Sequence, residues 1–175
     1  ILLTRPMFLA LRTLGWNLTD SDRGADSGPV VVIVSGYFSP LHCGHLDYFE
    51  EAAAAGDRLV VIVNNNDQQI LKKGKIILDQ EDRLRIIKAL TVVDEAMVSV
   101  DKDRSVARTL ALIAESNLNS KLIFGNGGDR NSSENIPEVD VCHRYGIETV
   151  FNFGGTYKRD SSSRINQELG IEGKG

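Results

Sequence analysis

Two histidines that flank a glycine are the residues of this sequence best suited to chemistry. Residues 36–45 read GYFSPLHCGH, which places His42 and His45 on either side of Gly44. An apolar run precedes the segment and apolar residues at helical spacing follow it, so the histidines stand at the start of a helix. That end of a helix offers unpaired N–H groups and a partial positive charge, and the glycine lets a ligand approach the backbone. Imidazoles there can donate hydrogen bonds to phosphate oxygens, which predicts a site that stabilises charge on phosphate.

The same residues allow two other interpretations. His42, Cys43 and His45 offer nitrogen and sulfur atoms that zinc accepts as ligands. The remaining candidate ligands, at 142–143, follow the fourth predicted strand and lie away from the expected cleft, which disfavours a metal site. A structural turn with incidental histidines is the second alternative. No Walker A pattern occurs, and the glycines of 125–128 lack the spacing of a dinucleotide fingerprint.

Strand-like and helix-like segments alternate from residue 29 onward. Strands are predicted at 30–35, 59–63, 92–100, 122–124 and 147–151. Helices are predicted from 46 to a stop at Gly56, from a cap at Asp79 to Leu90, from a cap at Asp103 past Ile113, at 137–145 and at 161–169. This alternation indicates a parallel sheet with right-handed crossovers. Such sheets bind ligands at the carboxyl ends of their strands, so the chemistry is expected in the loops after strands one, two, four and five.

The composition fits one domain with a short appendage. The chain has 175 residues, a formal net charge of -4 and 42% hydrophobic residues. A chain of this length buries a sizeable core without disulfides, and two cysteines are too few for a disulfide framework. The weak acidity disfavours a nucleic-acid partner. No apolar run is as long as the roughly 18 residues that a membrane span needs.

Residues 1–28 are predicted to be an N-terminal extension and linker ahead of a domain over 29–175. Phe8, Leu11 and Leu14 recur at helical spacing. A helix there is expected to dock on the domain or on a partner subunit, although arginines among apolar residues are also typical of some transit peptides. No clear export signal is present, so a cytoplasmic location is expected.

The string Gly-x-Phe-x-Pro-x-His-x-Gly-His resembles the signature of the cytidylyltransferase-like nucleotidyltransferases. The resemblance extends over about 30–169 and is greatest to the small cytidylyltransferases, such as glycerol-3-phosphate cytidylyltransferase, and to the nucleotidyl domain that forms ADP-heptose. It implies a Rossmann-like α/β fold, with an open parallel five-stranded sheet of order 3-2-1-4-5 and helices on both faces. It also implies that Gly36, Tyr37, Phe38 and Gly44 bind the nucleotide.

Further matches follow the second predicted strand. The family has a triphosphate-binding lysine in the next loop, and Lys72 fits it best by distance, with Lys73 and Lys75 as alternatives. Residues 81–83 resemble the family's acidic-x-Arg, in which Arg83 is either structural or faces phosphate.

Residues 92–95 resemble the family's Val-Asp-Glu strand. Cytidylyltransferases place Arg-Tyr just before that strand, whereas this chain has Thr-Val-Val at 91–93, which weakens the case for CTP. Gly128 and Asp129 resemble the Gly-Asp after the fourth strand, where the family holds the base and ribose. Asp129 is equally suited to a turn.

A last match lies at the start of the final predicted helix. Ser161, Ser162 and Ser163 resemble serines whose hydroxyl and amide groups bind the β- and γ-phosphates, and Arg159 would clamp phosphate oxygens. A serine-capped helix without a ligand is the alternative.

Together these matches imply transfer of a nucleotidyl group from an NTP (CTP or ATP) to a small phosphorylated acceptor, such as a sugar or polyol phosphate, with release of pyrophosphate. His42, His45 and Lys72 would be the catalytic residues, with Mg²⁺ as cofactor. The resemblance implies a homodimer, without a nucleic-acid or membrane partner. Two alternatives stay open: an adenylyltransferase of a cofactor precursor, and a nucleotide-binding regulatory module without turnover.

Overall fold

The computed structural model describes residues 28–127, 138–153 and 160–171, and all structural statements below concern these residues. The strands are β1 (Val30–Gly36), β2 (Arg58–Val63), β3 (Glu95–Val98), β4 (Lys121–Gly127) and β5 (Glu148–Phe153). The helices are α1 (Cys43–Ala54), α2 (Asn66–Lys73), α3 (Gln80–Lys88), α4 (Ala107–Glu115), α5 (Val139–Tyr145) and α6 (Ser162–Glu168). Apart from Gly28, the predicted N-terminal extension lies outside this part of the chain, so its helix stays a prediction. None of the described helices is both long enough and apolar enough to cross a membrane.

The five strands form one parallel sheet in the order β3-β2-β1-β4-β5. β1 is central and pairs with β2 on one side and β4 on the other. The chain proceeds outward from β1 to β3 and then crosses to β4 on the far side of β1. The strand order therefore reverses between β1 and β4, and a crevice opens at such a point. This sheet confirms the predicted Rossmann-like α/β fold and its strand order.

The sheet is buried on both faces because successive side chains of each strand enter opposite cores. On one face, Val32 of β1 belongs to a cluster with Phe49 of α1 and Ile87 of α3. On the other face, Ile33 belongs to a cluster with Leu110 of α4. Helices thus cover both faces, which leaves the strand ends as the place for a ligand.

The third strand is shorter than the predicted range of 92–100, because the chain must first turn after α3. The N–H of Val93 donates to the carbonyl of Leu90 at 3.1 Å and closes that turn. The carboxylate of Asp94 then accepts the N–H of Leu59 at 2.7 Å, so a side chain supplies the contact with β2 before β3 begins.

The segment after β2 is predicted as a loop, but it forms helix α2. Asn65 and Gln68 cap it reciprocally: the Asn65 side chain accepts the N–H of Gln68 at 2.9 Å, and the Gln68 side chain accepts the N–H of Asn65 at 3.0 Å. Gly74 ends the helix with a φ of 75°. Asn and Gln three positions apart, with a glycine beyond them, are the sequence signal for this helix.

The carboxylate that caps α4 belongs to Asp101, whereas the sequence predicts Asp103. Asp101 is buried and accepts the N–H groups of Arg108 and Thr109 at 2.7 and 3.1 Å, and the Thr109 hydroxyl at 2.5 Å. Asp103 is exposed and instead accepts the N–H of Ser105 at 2.8 Å. The path of the chain between β3 and α4 decides which of the two carboxylates reaches the helix. The spacing of residues in the sequence does not predict that path.

We expect Asp101→Ala to lower the free energy of unfolding by about 2 kcal/mol, because two helix N–H groups and a buried hydroxyl lose their acceptor. Asp103→Ala is the matched control and should lower it by less than about 1 kcal/mol, because the Asp103 carboxylate is exposed and accepts no N–H group of α4. Urea denaturation of both variants checks this. Equal losses in the two variants would contradict the assignment of Asp101 as the cap.

Candidate active site

The loop after β1 folds over itself and delivers two histidines to the start of α1. Phe38 has a φ of 49°, and its ring covers Gly36, where a Cβ would lie 2.7 Å from the ring. His42 has extended backbone and is the last residue before α1. A Cβ on Gly44 would lie 3.2 Å from the His42 ring. A side chain at Gly36 would displace the Phe38 ring, and one at Gly44 would crowd the His42 ring.

The rings of His42 and His45 lie against each other, with their centroids 3.8 Å apart. Phe38 meets the His45 ring edge-on, with a centroid distance of 5.1 Å. The backbone N–H of His42 donates to Nδ1 of His45 at 3.3 Å. In a neutral imidazole that accepts at Nδ1, the proton is on Nε2. The loop therefore orients His45 as an Nε2–H donor.

His45 is uncharged at neutral pH. Burial, and to a smaller extent the charge of the neighbouring His42, lower its pKa from 6.5 to about 3. A neutral imidazole still offers one N–H to a phosphate oxygen. The site can therefore hold this donor ready without a buried charge.

Lys72, on helix α2, also lies near the histidine loop. It lies in the last turn of α2, and its Nζ is 4.4 Å from the centroid of the Tyr37 ring. Lys73 is half-buried, and the ammonium of Lys75 donates instead to the carbonyl of Ile171. Lys72 thus contacts the loop that carries the histidines.

Helix α6 packs against the outer side of the histidine loop. The hydroxyl of Ser162 donates to the carbonyl of Pro40 at 3.0 Å. The side chain of Asn166, which is buried, donates to the carbonyl of Ser39 at 3.2 Å. These two hydrogen bonds bring the predicted serine segment to the loop, although more than 120 residues separate them in sequence.

The groups at the start of α6 already have intramolecular partners. Ser161 is the cap and accepts the N–H of Arg164 at 3.1 Å. Asp160 accepts two hydrogen bonds from the Arg164 guanidinium, at 2.7 and 2.9 Å, and these are the main reason that its pKa falls to about 2. Ser163 is exposed. Phosphate binding by the three serines stays a prediction.

Arg83 is structural, which decides between its two predicted roles. Its side chain is 1% exposed. Its guanidinium donates to the carbonyl groups of Tyr37 at 3.0 Å, Asn64 at 2.6 Å and Leu78 at 2.8 Å, and to Oδ1 of Asn66 at 3.2 Å. It therefore joins the loop after β1 to the loop after β2. The arginine itself is visible in the sequence, but its partners are distant and no sequence signal identifies them.

Tyr48 links the histidine-bearing helix to the strand across the crevice. Its hydroxyl donates to the carbonyl of Gly125 at 2.7 Å. The Phe153 ring occupies the space beside Gly125, where a Cβ would lie 2.4 Å from a ring atom. Sequence reasoning missed this link, because Tyr48 reads as one more apolar residue of the helix.

Three predicted residues, Gly128, Asp129 and Arg159, lie outside the described residues, so their roles stay predictions. The predicted alternative of a zinc site has no support in the described ranges. Across 28–127, 138–153 and 160–171, no three His, Cys, Asp or Glu side chains lie close enough together to hold a metal ion. Cys43 is exposed, whereas Cys142 is buried in the core on the other face of the sheet.

The chain belongs to the cytidylyltransferase-like family, whose model matches residues 33–169. That range includes β1 from its middle onward, the histidine loop and α6, so it spans every part of the candidate site. No curated protein sequence matches the chain significantly.

Solved structures that are similar to this chain include two crystal structures. The lipopolysaccharide core biosynthesis protein from Thermoplasma volcanium GSS1 is 29% identical, with a TM-score of 0.59 over 76% of this chain and 100% of that chain. A candidate nicotinate-nucleotide adenylyltransferase from Vibrio parahaemolyticus is 14% identical, with a TM-score of 0.49 over 83% of this chain and 90% of that chain. The second likeness is too distant to bear on function.

We expect Arg83→Lys to lower the free energy of unfolding by about 2–4 kcal/mol. An ammonium keeps the charge but cannot reach four acceptors arranged around a planar guanidinium, so buried acceptors lose their donors. Arg85→Lys, an exposed change on the same helix, is the control and should stay within about 0.5 kcal/mol. A loss below about 1 kcal/mol for Arg83→Lys in urea denaturation would contradict the structural role.

We also expect His45 to make the protein less stable as the pH falls. Its pKa is about 3 in the folded chain and near 6.5 when unfolded, so between these values only the unfolded state binds the proton. The free energy of unfolding should therefore decrease below about pH 6.5, and His45→Gln should reduce that slope by about 1 kcal/mol per pH unit. Urea denaturation between about pH 4.5 and 7.5 measures the slopes, with the exposed His143→Gln as control. An unchanged slope in His45→Gln would refute the low pKa.

Proposed function

We propose that this protein transfers a nucleotidyl group from a nucleoside triphosphate to a small phosphorylated acceptor and releases pyrophosphate. The observation that carries the proposal is the oriented, uncharged His45 that lies against His42 at the start of α1. This pair follows the central strand of the sheet, where doubly wound folds bind their ligands. Membership in the cytidylyltransferase-like family supports the same class of reaction.

The reaction needs positioning and charge stabilisation more than proton transfer. An oxygen of the acceptor phosphate attacks the α-phosphorus, and the bond from that phosphorus to the oxygen bridging the β-phosphate breaks. The acceptor phosphate is ionised near neutral pH, so no general base is required. Negative charge grows on the leaving pyrophosphate, which is where fixed hydrogen-bond donors accelerate the reaction most.

The residues around the crevice suit that task. His45 would donate its Nε2–H to a phosphate oxygen, and His42 would act beside it. The N–H groups at the start of α1 add a fixed partial positive charge. Lys72 would supply a full positive charge, and its contact with Tyr37 already places it near the histidine loop.

The metal in this proposal is Mg²⁺ that enters with the nucleotide. Mg²⁺ keeps several waters and binds through substrate phosphates and one or two carboxylates, so it needs no cage of protein ligands. The described residues offer no cluster of three His, Cys, Asp or Glu side chains, so in this proposal the substrate phosphates and water would hold most of the ion's coordination sites. Bound to the phosphates, Mg²⁺ would neutralise part of their charge.

The proposed donor is CTP or ATP, and the acceptor a sugar or polyol phosphate. The absence of the family's Arg-Tyr at 91–93 does not help to choose between cytosine and adenine as the base of the nucleotide. These residues lie just ahead of β3, at its amino end, whereas the histidines follow the carboxyl end of β1. Because the strands are parallel, the amino ends and the carboxyl ends lie on opposite sides of the sheet, so residues 91–93 are far from the histidines.

We expect wild-type protein with Mg²⁺ to release pyrophosphate from one nucleotide when a suitable acceptor is present, and His45→Ala to lower kcat by about 10²–10³ through loss of a charge-stabilising donor. The assay pairs ATP, CTP, GTP and UTP with pools of sugar phosphates, polyol phosphates and mononucleotides. His143→Ala, an exposed change on α5, is the control for loss of a histidine. Thermal shift with each nucleotide reports binding separately from turnover.

The outcomes separate the alternatives. Turnover only with a mononucleotide acceptor would indicate an adenylyltransferase of a cofactor precursor. A nucleotide-dependent thermal shift without turnover on any acceptor would favour the regulatory module. Near-normal turnover of His45→Ala would refute the role given to that residue.

A further inference from the structure

The contact between Tyr37 and Lys72 joins two elements of the candidate site. Nζ of Lys72 lies 4.4 Å from the centroid of the Tyr37 ring, within the range of a cation–π interaction. Tyr37 directly follows β1, and Lys72 is in the last turn of α2. The ring therefore bridges from the loop that carries the histidines to the helix that carries the lysine.

The backbone on both sides of this contact is fixed by one buried group. Arg83 donates through the same nitrogen, Nη1, to the carbonyl of Tyr37 at 3.0 Å and to the carbonyl of Asn64 at 2.6 Å. Asn64 directly follows the last residue of β2 and directly precedes Asn65, which caps α2. The guanidinium thus sets the spacing between the residue that supplies the ring and the helix that supplies the ammonium.

The rest of α2 is held just as firmly. Gln68, on the first turn, is fully buried and donates to the carbonyl groups of Asp103 and Ser105 at 2.8 and 2.6 Å. The helix is therefore anchored at its start, whereas Lys72 is exposed at its end. A long exposed lysine side chain has several rotamers of similar energy unless a contact selects one.

We propose that Tyr37 is a positioning residue for Lys72: its ring holds the ammonium beside the histidine loop before the triphosphate binds. This inference rests on the proposed nucleotidyl transfer. Ordering the lysine in advance reduces the entropy that substrate binding must overcome. An exposed cation–π contact corresponds to about a two- to fivefold effect on an equilibrium.

The kinetic test is a double-mutant cycle on the full chain. Tyr37→Leu removes the ring and should lower kcat/KM for the nucleotide by about two- to fivefold. Tyr37→Phe keeps the ring face and should recover most of that loss. In a Lys72→Met background the Tyr37→Leu change should have no further effect, because the two residues act as a pair. Tyr145→Leu removes another half-buried tyrosine, on α5, and is the control that should leave kcat/KM unchanged.

A second readout does not depend on turnover. In protein whose lysines carry ¹³C-labelled methyl groups, the Lys72 resonance is assigned by its loss in Lys72→Arg. The ring should shift it upfield in wild type and in Tyr37→Phe, and the shift should vanish in Tyr37→Leu. A shift that survives in Tyr37→Leu would overturn the positioning role.

The failure of this inference differs from the failure of the proposed function. Wild-type turnover combined with an unaltered kcat/KM in Tyr37→Leu, or with a loss that persists in the Lys72→Met background, would overturn the positioning role and leave nucleotidyl transfer intact. No pyrophosphate release by wild type with any nucleotide and acceptor would overturn nucleotidyl transfer, and the positioning role with it.

Discussion

The geometry of the candidate site depends on a buried guanidinium. A charged group that is withdrawn from water is tolerated only when its N–H groups have acceptors, and Arg83 finds them in carbonyl groups of three separate segments. The loops after β1 and β2 must therefore converge on one point. That convergence places Tyr37 near Lys72 and holds the histidine loop against the sheet. Any change that releases Arg83 would alter stability and site geometry together.

Burial also affects the ionisation of His45. Burial lowers the pKa of Arg83 too, but a guanidinium starts so high that it stays charged. His45 instead loses its proton because its ring is buried beside Phe38 and His42. The consequence is a donor that is uncharged yet oriented, since Nδ1 is occupied by the N–H of His42. In the proposed reaction, the positive charge that phosphate attracts would come from other groups, among them Lys72, the helix N-terminus and a metal carried by the nucleotide.

The division of the molecule into apolar and polar regions explains why the site can be held so firmly. Both faces of the sheet are covered by apolar clusters, so the strands lie in a close-packed interior. Beyond their carboxyl ends, buried side chains such as Gln68 and Asp101 satisfy backbone groups that no strand or helix pairs. Loops supported in this way can present functional groups at fixed positions, as a preorganised site requires.

Local patterns were sufficient for the fold class and for the position of the two histidines at the start of α1. A β-branched run, a glycine and helical spacing are properties of neighbouring residues, and they located β1, α1, His42 and His45 correctly. Only the tertiary structure decided that Arg83 is structural, that Asp101 caps α4, and that Lys72 meets Tyr37. Arg83 and the Tyr37 carbonyl are 46 positions apart in sequence, and they meet because the crossovers bring the strand ends together. Contacts of that kind are set by the packing of whole elements, which periodicity and spacing do not encode.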